Sequence, residues 1–283
     1  MNNKITFKNI SITISCFWLF IFVLIPNGLI FITTFLSKDP INLISTPFTI
    51  KNYAIIFDYK FYSIMLNSIY LAGKASILCL IIGYPTAWAL AQCKTATRNF
   101  IITLIILPLW VNSLIKTYAI KTILSKNGYG NMVLLKLGII DEPMNLLYND
   151  TAMVIGFVYL LLPLMILPLY VSISNIPRIY KEAAKDLGAN NLYYFAKIMV
   201  PLTYSGIVSG FLLVFLPAIG MFYLAELLGG SKNILIGSYI KNQMLTLLNW
   251  PVATTASCGM ILIMFIFIYI YKKSEKQIGK SDE

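Results

Sequence analysis

The sequence predicts an all-α polytopic membrane protein with about six transmembrane helices. Three observations predict it. Hydrophobic residues make up 58% of the 283-residue chain and charged residues only 12%, where a soluble domain carries about 45–50% and about 25%. The mean hydropathy is +0.78. The apolar residues gather into six runs, each close to the roughly 20 residues that a membrane helix needs. These runs are too long and too uniform for the alternating strands of about 10 residues in a membrane β-barrel.

The first run, residues 10–36, follows Lys4 and Lys8. Its front resembles a signal peptide, but it outruns an h-region of about 7–15 residues and no A-x-A site follows. An uncleaved helix is expected, kinked at Pro26. The other runs are residues 62–91, 100–118, 151–174, 202–228 and 252–271. With the N-terminus inside, the inner segments 1–9, 92–99, 175–200 and 272–283 hold 12 basic residues in 55 positions. The outer segments 37–61, 119–150 and 229–251 hold 8 in 80. The positive-inside rule then sets both termini in the cytoplasm. The expected organisation is residues 1–61 (N-terminus, first helix and first outer loop), 62–271 (a transmembrane domain of five helices) and 272–283 (a charged cytoplasmic tail).

The two longest links differ in kind. Residues 119–150 contain Asn127-Gly128 and Gly130-Asn131 turn signals, and residues 132–137 suit a short amphipathic helix on the outer face. Residues 175–200 are polar with helical spacing and are bounded by Pro177 and Pro201. That is long for a connector. Pro163, Pro168 and Pro217 are expected to kink their helices. Gly206 and Gly210 form a G-x-x-x-G, which predicts close helix packing within the chain or with a partner.

Little in the sequence supports catalysis. The net charge of +11 lies between apolar runs, which suits anionic lipid heads rather than nucleic acid. No histidine is present, excluding His-ligated haem, His-ligated metals and a His general base. Cys16, Cys79, Cys93 and Cys258 make no C-x-x-C, so neither a zinc site nor a disulfide framework is supported. Gly73-Lys74 is followed by Ala75, and Ser68 stands where a P-loop needs glycine. No catalytic residue, metal or cofactor is expected. A transporter or channel component, or a structural membrane subunit, remains.

The inner loop reads Lys181-Glu182-Ala183-Ala184-Lys185-Asp186-Leu187-Gly188. The Glu-Ala-Ala stretch makes a short helix whose small residues allow close docking in a partner. Gly188 stops that helix and permits a reversal. Phe195 and Ile198 start a second helix, and Pro201 restarts the chain at the membrane. A bare triplet would suit any helical loop. The full spacing E-A-A-x3-G-x9-I-x2-P is more specific, and it resembles the signature loop of permease subunits of binding-protein-dependent ABC importers.

The resemblance covers about residues 62–271. Residues 107–118, Tyr159 to Pro163, residues 168–170 and the block from Leu216 to Pro251 are similar to permease subunits of spermidine/putrescine importers. It implies an ABC importer type I permease fold with a cytoplasmic coupling helix. Glu182, Ala183, Ala184, Asp186, Leu187, Gly188, Ile198 and Pro201 would make the ATPase-coupling site. The implied partners are a second homologous permease subunit, two cytoplasmic ATPase subunits that carry the ATP chemistry, and a periplasmic polyamine-binding protein. The implied location is a bacterial inner membrane.

A polyamine is a string of ammonium groups, which carboxylates and aromatic faces bind. Glu226 is therefore expected on the substrate pathway, with Tyr223, Trp110, Tyr118 and Tyr159. Asp141 and Glu142 are candidate outer-face contacts. The plain alternatives are that Glu226 pairs with Lys232 or caps a helix end, that the aromatics form an interfacial belt, and that the acidic pair is merely solvated. Lys74 sits deep in the second run, where it is expected to snorkel or to pair with a carboxylate, Glu226 being the candidate. Two other functions stay open: an importer for another small solute, such as an amino acid or iron, and a structural subunit without its own pathway.

Overall fold

The computed structural model describes residues 2–39, 43–230 and 233–279, and side chains from residue 9 to residue 269 within them. Among the described residues, four helices are long and apolar enough to cross a membrane: Asn9–Thr33, Tyr59–Gln92, Asp150–Ser174 and Trp250–Tyr269. The count is six if two bent helix pairs each make one span. The expected all-α polytopic architecture is therefore observed, and two of the six expected runs fall in bent helix pairs.

The chain divides into two compact units, Met1–Tyr62 with Tyr239–Ile263 and Ser63–Ser238 with Met264–Glu283. In the first unit, helix α1 (Asn2–Leu19) passes through a π turn (Phe20–Leu24) into α2 (Ile25–Thr33). The irregularity expected at Pro26 thus takes the form of a widened turn just before it. Such a turn accommodates a ring whose nitrogen cannot donate. A two-stranded antiparallel hairpin follows, β1 (Ser37–Asp39) with β2 (Leu43–Ser45). Asn52 Nδ2 donates to the carbonyls of Thr34 and Leu36, both at 2.8 Å. Lys38 Nζ donates to the Leu247 carbonyl at 2.9 Å.

Helix α3 (Tyr59–Gln92), which belongs to the second unit from Ser63 on, buries Ser68, Leu71, Ala75 and Cys79 along one face and, nearer its end, Tyr84 and Ala87. The expected helix over 100–118 is not continuous. Instead α4 (Thr95–Ile106) runs into a 3-10 turn (Leu107–Trp110), and α5 (Ser113–Leu124) leaves at 95°. Pro108 supplies no N–H to carry the helix on. Asn112 then starts a new one, its Oδ1 accepting from Leu114 N at 2.8 Å. Lys116 is buried, and its Nζ donates to the Pro108 carbonyl at 3.0 Å across the break. Helix α6 (Tyr129–Lys136) forms where residues 132–137 suggested one.

Helix α7 (Asp150–Ser174) is the core of this unit and keeps Pro163 and Pro168 inside an unbroken helix. It is followed by α8 (Arg178–Asp186), α9 (Asn191–Tyr194), a π turn (Phe195–Met199) and α10 (Val200–Leu202). Helix α11 (Tyr204–Gly220) packs along α7. Gly206 lies against Ser172 and the Pro168 carbonyl, and Gly210 lies against Met165. The G-x-x-x-G therefore packs within the chain, one of the two readings its spacing allowed.

The expected helix over 202–228 is interrupted twice. A 69° bend separates Asn191–Leu202 from Tyr204–Gly220. At Met221 (φ −74°, ψ 75°) the helix stops again, and α12 (Phe222–Leu224) and a π turn (Ala225–Gly229) follow. Helices α13 (Ile236–Lys241) and α14 (Trp250–Gly279) end the described chain. Of the expected tail, residues 272–279 continue α14 and residues 280–283 lie outside the described residues, as does Lys232.

Candidate functional site

Two groups of residues matter. The first is the loop after α7. Helix α8 begins behind Pro177, whose fixed φ (−61°) suits a helix start. It ends in a Schellman motif: Ala189 N donates to the Ala184 carbonyl and Gly188 N to the Lys185 carbonyl, both at 2.9 Å. Gly188 takes φ +78°, the left-handed conformation that lets the chain reverse there. The sequence signal for this stop was thus met in geometry as well as in position.

The reversal sorts the loop's side chains. Ala184 is buried, whereas Glu182, Ala183 and Asp186 are exposed. Leu187 stands at the tip with 88% of its surface accessible. A shallow recess of about 400 Å³ is lined by Ala184, Leu187, Gly188, Asn190, Tyr193 and Ile198. This gives the long spacing between Gly188 and Ile198 a physical meaning: both ends line one recess. Pro201 is exposed in α10.

The rest of the loop is fixed to α3. Asn190 Oδ1 accepts from Tyr193 N at 2.7 Å and starts α9. The Phe195 ring meets Tyr84 edge-on at 5.3 Å and Trp88 at 5.9 Å. Tyr84 and Thr203 share a buried hydroxyl–hydroxyl hydrogen bond of 2.7 Å. Thr203 Oγ1 also donates a 2.8 Å hydrogen bond to the Met199 carbonyl. Tyr84 must therefore be the donor to Thr203. Sequence reasoning missed Tyr84, Trp88 and Thr203, because nothing in one sequence links residues more than a hundred positions apart.

The second group is the proposed pathway set. Its members lie on elements that pack together: α5 carries Tyr118, α7 carries Tyr159, α12 carries Tyr223 and the π turn carries Glu226. Tyr118 and Tyr159 are each about half exposed, Glu226 is exposed and Tyr223 is half-buried. Trp110, in the 3-10 turn before α5, is 84% exposed. These aromatics therefore present surface instead of filling the core of their own chain. The position of Glu226 is set from behind. Leu228 lies 2.5 Å from where a Cβ on Gly156 would stand, and Gly229 lies against Met153. Tyr148 N donates to the Leu228 carbonyl at 2.8 Å. An irregular turn is an expensive place to put a carboxylate within an apolar segment, and such sites are commonly functional.

Asp141 and Glu142 are exposed between α6 and α7, away from any regular element. Lys74 is exposed on α3, its ammonium 6.0 Å from the Tyr70 ring centroid. A further recess of about 610 Å³ opens among Pro168, Ser172, Asn175, Tyr180, Leu202 and Ser205, and none of the proposed pathway residues lines it. Among the described residues, no group of three or more His, Cys, Asp or Glu side chains is arranged to hold a metal ion.

Residues 80–280 match the family described as binding-protein-dependent transport system inner membrane component. The spermidine/putrescine transport system permease protein PotB of Haemophilus influenzae is 42% identical over 283 residues, covering 100% of this chain and 98% of that protein. PotB of Salmonella typhimurium is 41% identical over 280 residues, covering 99% and 98%. A crystal structure of a bacterial ABC transporter involved in the import of the acidic polysaccharide alginate has a chain of the same fold, with a TM-score of 0.79 at 15% identity over 98% of this chain and 97% of that one.

Proposed function

The chain belongs to the family of binding-protein-dependent transport system inner membrane components, and we propose that it is a permease subunit of an ATP-driven polyamine importer, taking spermidine or putrescine. It is a transport component and not itself the ATPase. In this reading it forms half of a translocation pathway together with a second permease subunit. A periplasmic binding protein delivers the substrate, and two ATPase subunits hydrolyse ATP on the cytoplasmic side.

The observation that carries the reading is the α8 tip. Leu187, 88% exposed where α8 reverses at Gly188, forms an apolar knob beside a recess that runs to Tyr193 and Ile198. Docking of the tip in an ATPase cleft covers that knob. The Tyr84–Thr203 and Phe195 contacts then transmit a push on α8 to α3 and α11. Glu182 and Asp186 offer the charged rim of the docking surface.

The 42% identity to PotB over the whole chain supports polyamines as the substrate class. So does the chemistry of Glu226 with accessible tyrosines and a tryptophan, since cation–π contacts of about 0.5–2 kcal/mol each suit a flexible polycation. Asp141 and Glu142 extend this acidic character to the loop before α7. Both termini are taken to face the cytoplasm, from the distribution of Lys and Arg.

The test is uptake of radiolabelled spermidine in cells stripped of their own polyamine importers and supplied with this chain and its partner genes. Uptake competed by putrescine, and not by amino acids or ferric chelates, is the expected result. Uptake of an amino acid without any polyamine overturns the substrate assignment.

A further inference from the structure

Helix α3 has a second face. Leu66, Tyr70, Lys74, Ile77 and Ile81 follow one another at helical spacing, and all are exposed. They lie opposite the buried stripe of Leu71, Ala75 and Cys79. Beside them, Gly73 has no atom within 4 Å of where a Cβ would stand. Lys74 is at the middle of this stripe and near the middle of the 34-residue helix, about 22 Å from its first residue and about 27 Å from its last at 1.5 Å per residue.

The Tyr70 ring lies 6.0 Å from the ammonium. That attracts the charge without neutralising it. Among the described residues no carboxylate pairs with Lys74. A cation facing lipid tails at mid-helix is disfavoured. Ionisable groups in membrane helices face protein or water and pair with an opposite charge. The room beside Gly73 is what a closely packed second helix uses. A polyamine pathway would not place a cation here, because it would repel the substrate.

We propose that this face of α3 is the surface on which the second permease subunit packs, and that this subunit presents a membrane-embedded carboxylate to Lys74. The assignment rests on the importer reading given above, in which a second permease exists. The ammonium sets the register of the two subunits, and the aliphatic residues on either side keep water from the pair.

The test uses the whole importer, with both permeases and the ATPase co-expressed. A photoreactive phenylalanine replacing Ile77 should give an adduct with the second permease on irradiation. Lys74→Glu should lower the amount of second permease co-purified with this chain at least tenfold, while Lys74→Arg leaves it within twofold. An Ile77 adduct with lipid alone overturns the interface. So does unchanged co-purification in Lys74→Glu. So does a Lys74→Met variant that assembles normally but takes up spermidine faster, which would place the lysine on the pathway. If the unsubstituted chain retains no second permease, the importer reading fails. If it does and only the Ile77 adduct is missing, the interface alone is wrong.

Discussion

Tyr84 on α3 donates a 2.7 Å hydrogen bond to Thr203, the residue at the 69° bend between α10 and α11. Both residues are buried. The bond joins the base of the loop to a long helix on its far side, and Phe195 packs on the same tyrosine ring. Tyr84→Phe keeps the ring and removes the donor. It should cost about 1 kcal/mol of stability, read as a lowered melting temperature in detergent. Transport should fall further than that loss explains, because the bend loses its tie. An unchanged coupling ratio of spermidine moved per ATP would make the bond purely structural.

Gly188 supplies the reversal at the end of α8. Its φ of +78° strains any residue with a Cβ, although no atom stands within 4 Å of that position. Gly188→Ala should therefore act through the backbone alone, at roughly 1–2 kcal/mol, lowering the population of the capped loop about 5–30-fold. Gly188→Asn, which tolerates the left-handed region better, should retain more uptake than Gly188→Ala. The reverse order would show that the reversal is not what matters.

Leu187 touches little of its own chain. Leu187→Asp should leave the melting temperature nearly unchanged, within about 0.5 kcal/mol, yet reduce co-purification of the ATPase subunit at least tenfold. Glu182→Lys, exposed on the same helix, should weaken ATP-driven uptake without loss of the chain from the membrane. Full uptake in both variants would remove α8 as the coupling element.

Gly206 packs its backbone against Ser172 and Pro168. Gly206→Val overfills that contact between α7 and α11, and should cost about 1–3 kcal/mol or more. The expected reading is a reduced membrane level of the chain, restored in part at lower growth temperature.

Much of this was legible from the residues, and the limits are specific. The six apolar runs stand out because a membrane enforces length and hydropathy. The Glu182 to Gly188 signature also stands out, since its spacing is local and its Schellman end needs one glycine. The breaks at Val111–Asn112 and at Met221 were not legible. Both lie inside runs apolar enough to read as one span, where hydropathy cannot tell a bent pair from a straight helix, although Pro108 and Asn112 stand at the first break. Pro163 and Pro168 remained inside a continuous α7 while Pro108 marked a break, so proline alone does not decide the matter. Lys116 was passed over because its partner, the Pro108 carbonyl, exists only once the chain bends. For the pathway set, the fold gathers the supporting elements, but one sequence does not say which of these side chains stay exposed once the elements pack.

Glu226 is the residue on which the substrate assignment turns. Glu226→Gln keeps shape and removes charge. A lost charged hydrogen bond of about 1.5–3 kcal/mol raises the apparent KM for spermidine about 10–150-fold. Chain level in the membrane should not change, and Glu226→Asp should recover part of the affinity.

The most direct measurement is spermidine accumulation in proteoliposomes holding the complete importer, with ATP inside and the loaded binding protein outside. The account predicts ATP-dependent accumulation by the unsubstituted complex. It predicts loss of that accumulation in Leu187→Asp, while purified ATPase subunits keep their own hydrolysis. Accumulation without ATP, or an unaltered rate in Leu187→Asp with the ATPase still bound, would contradict it.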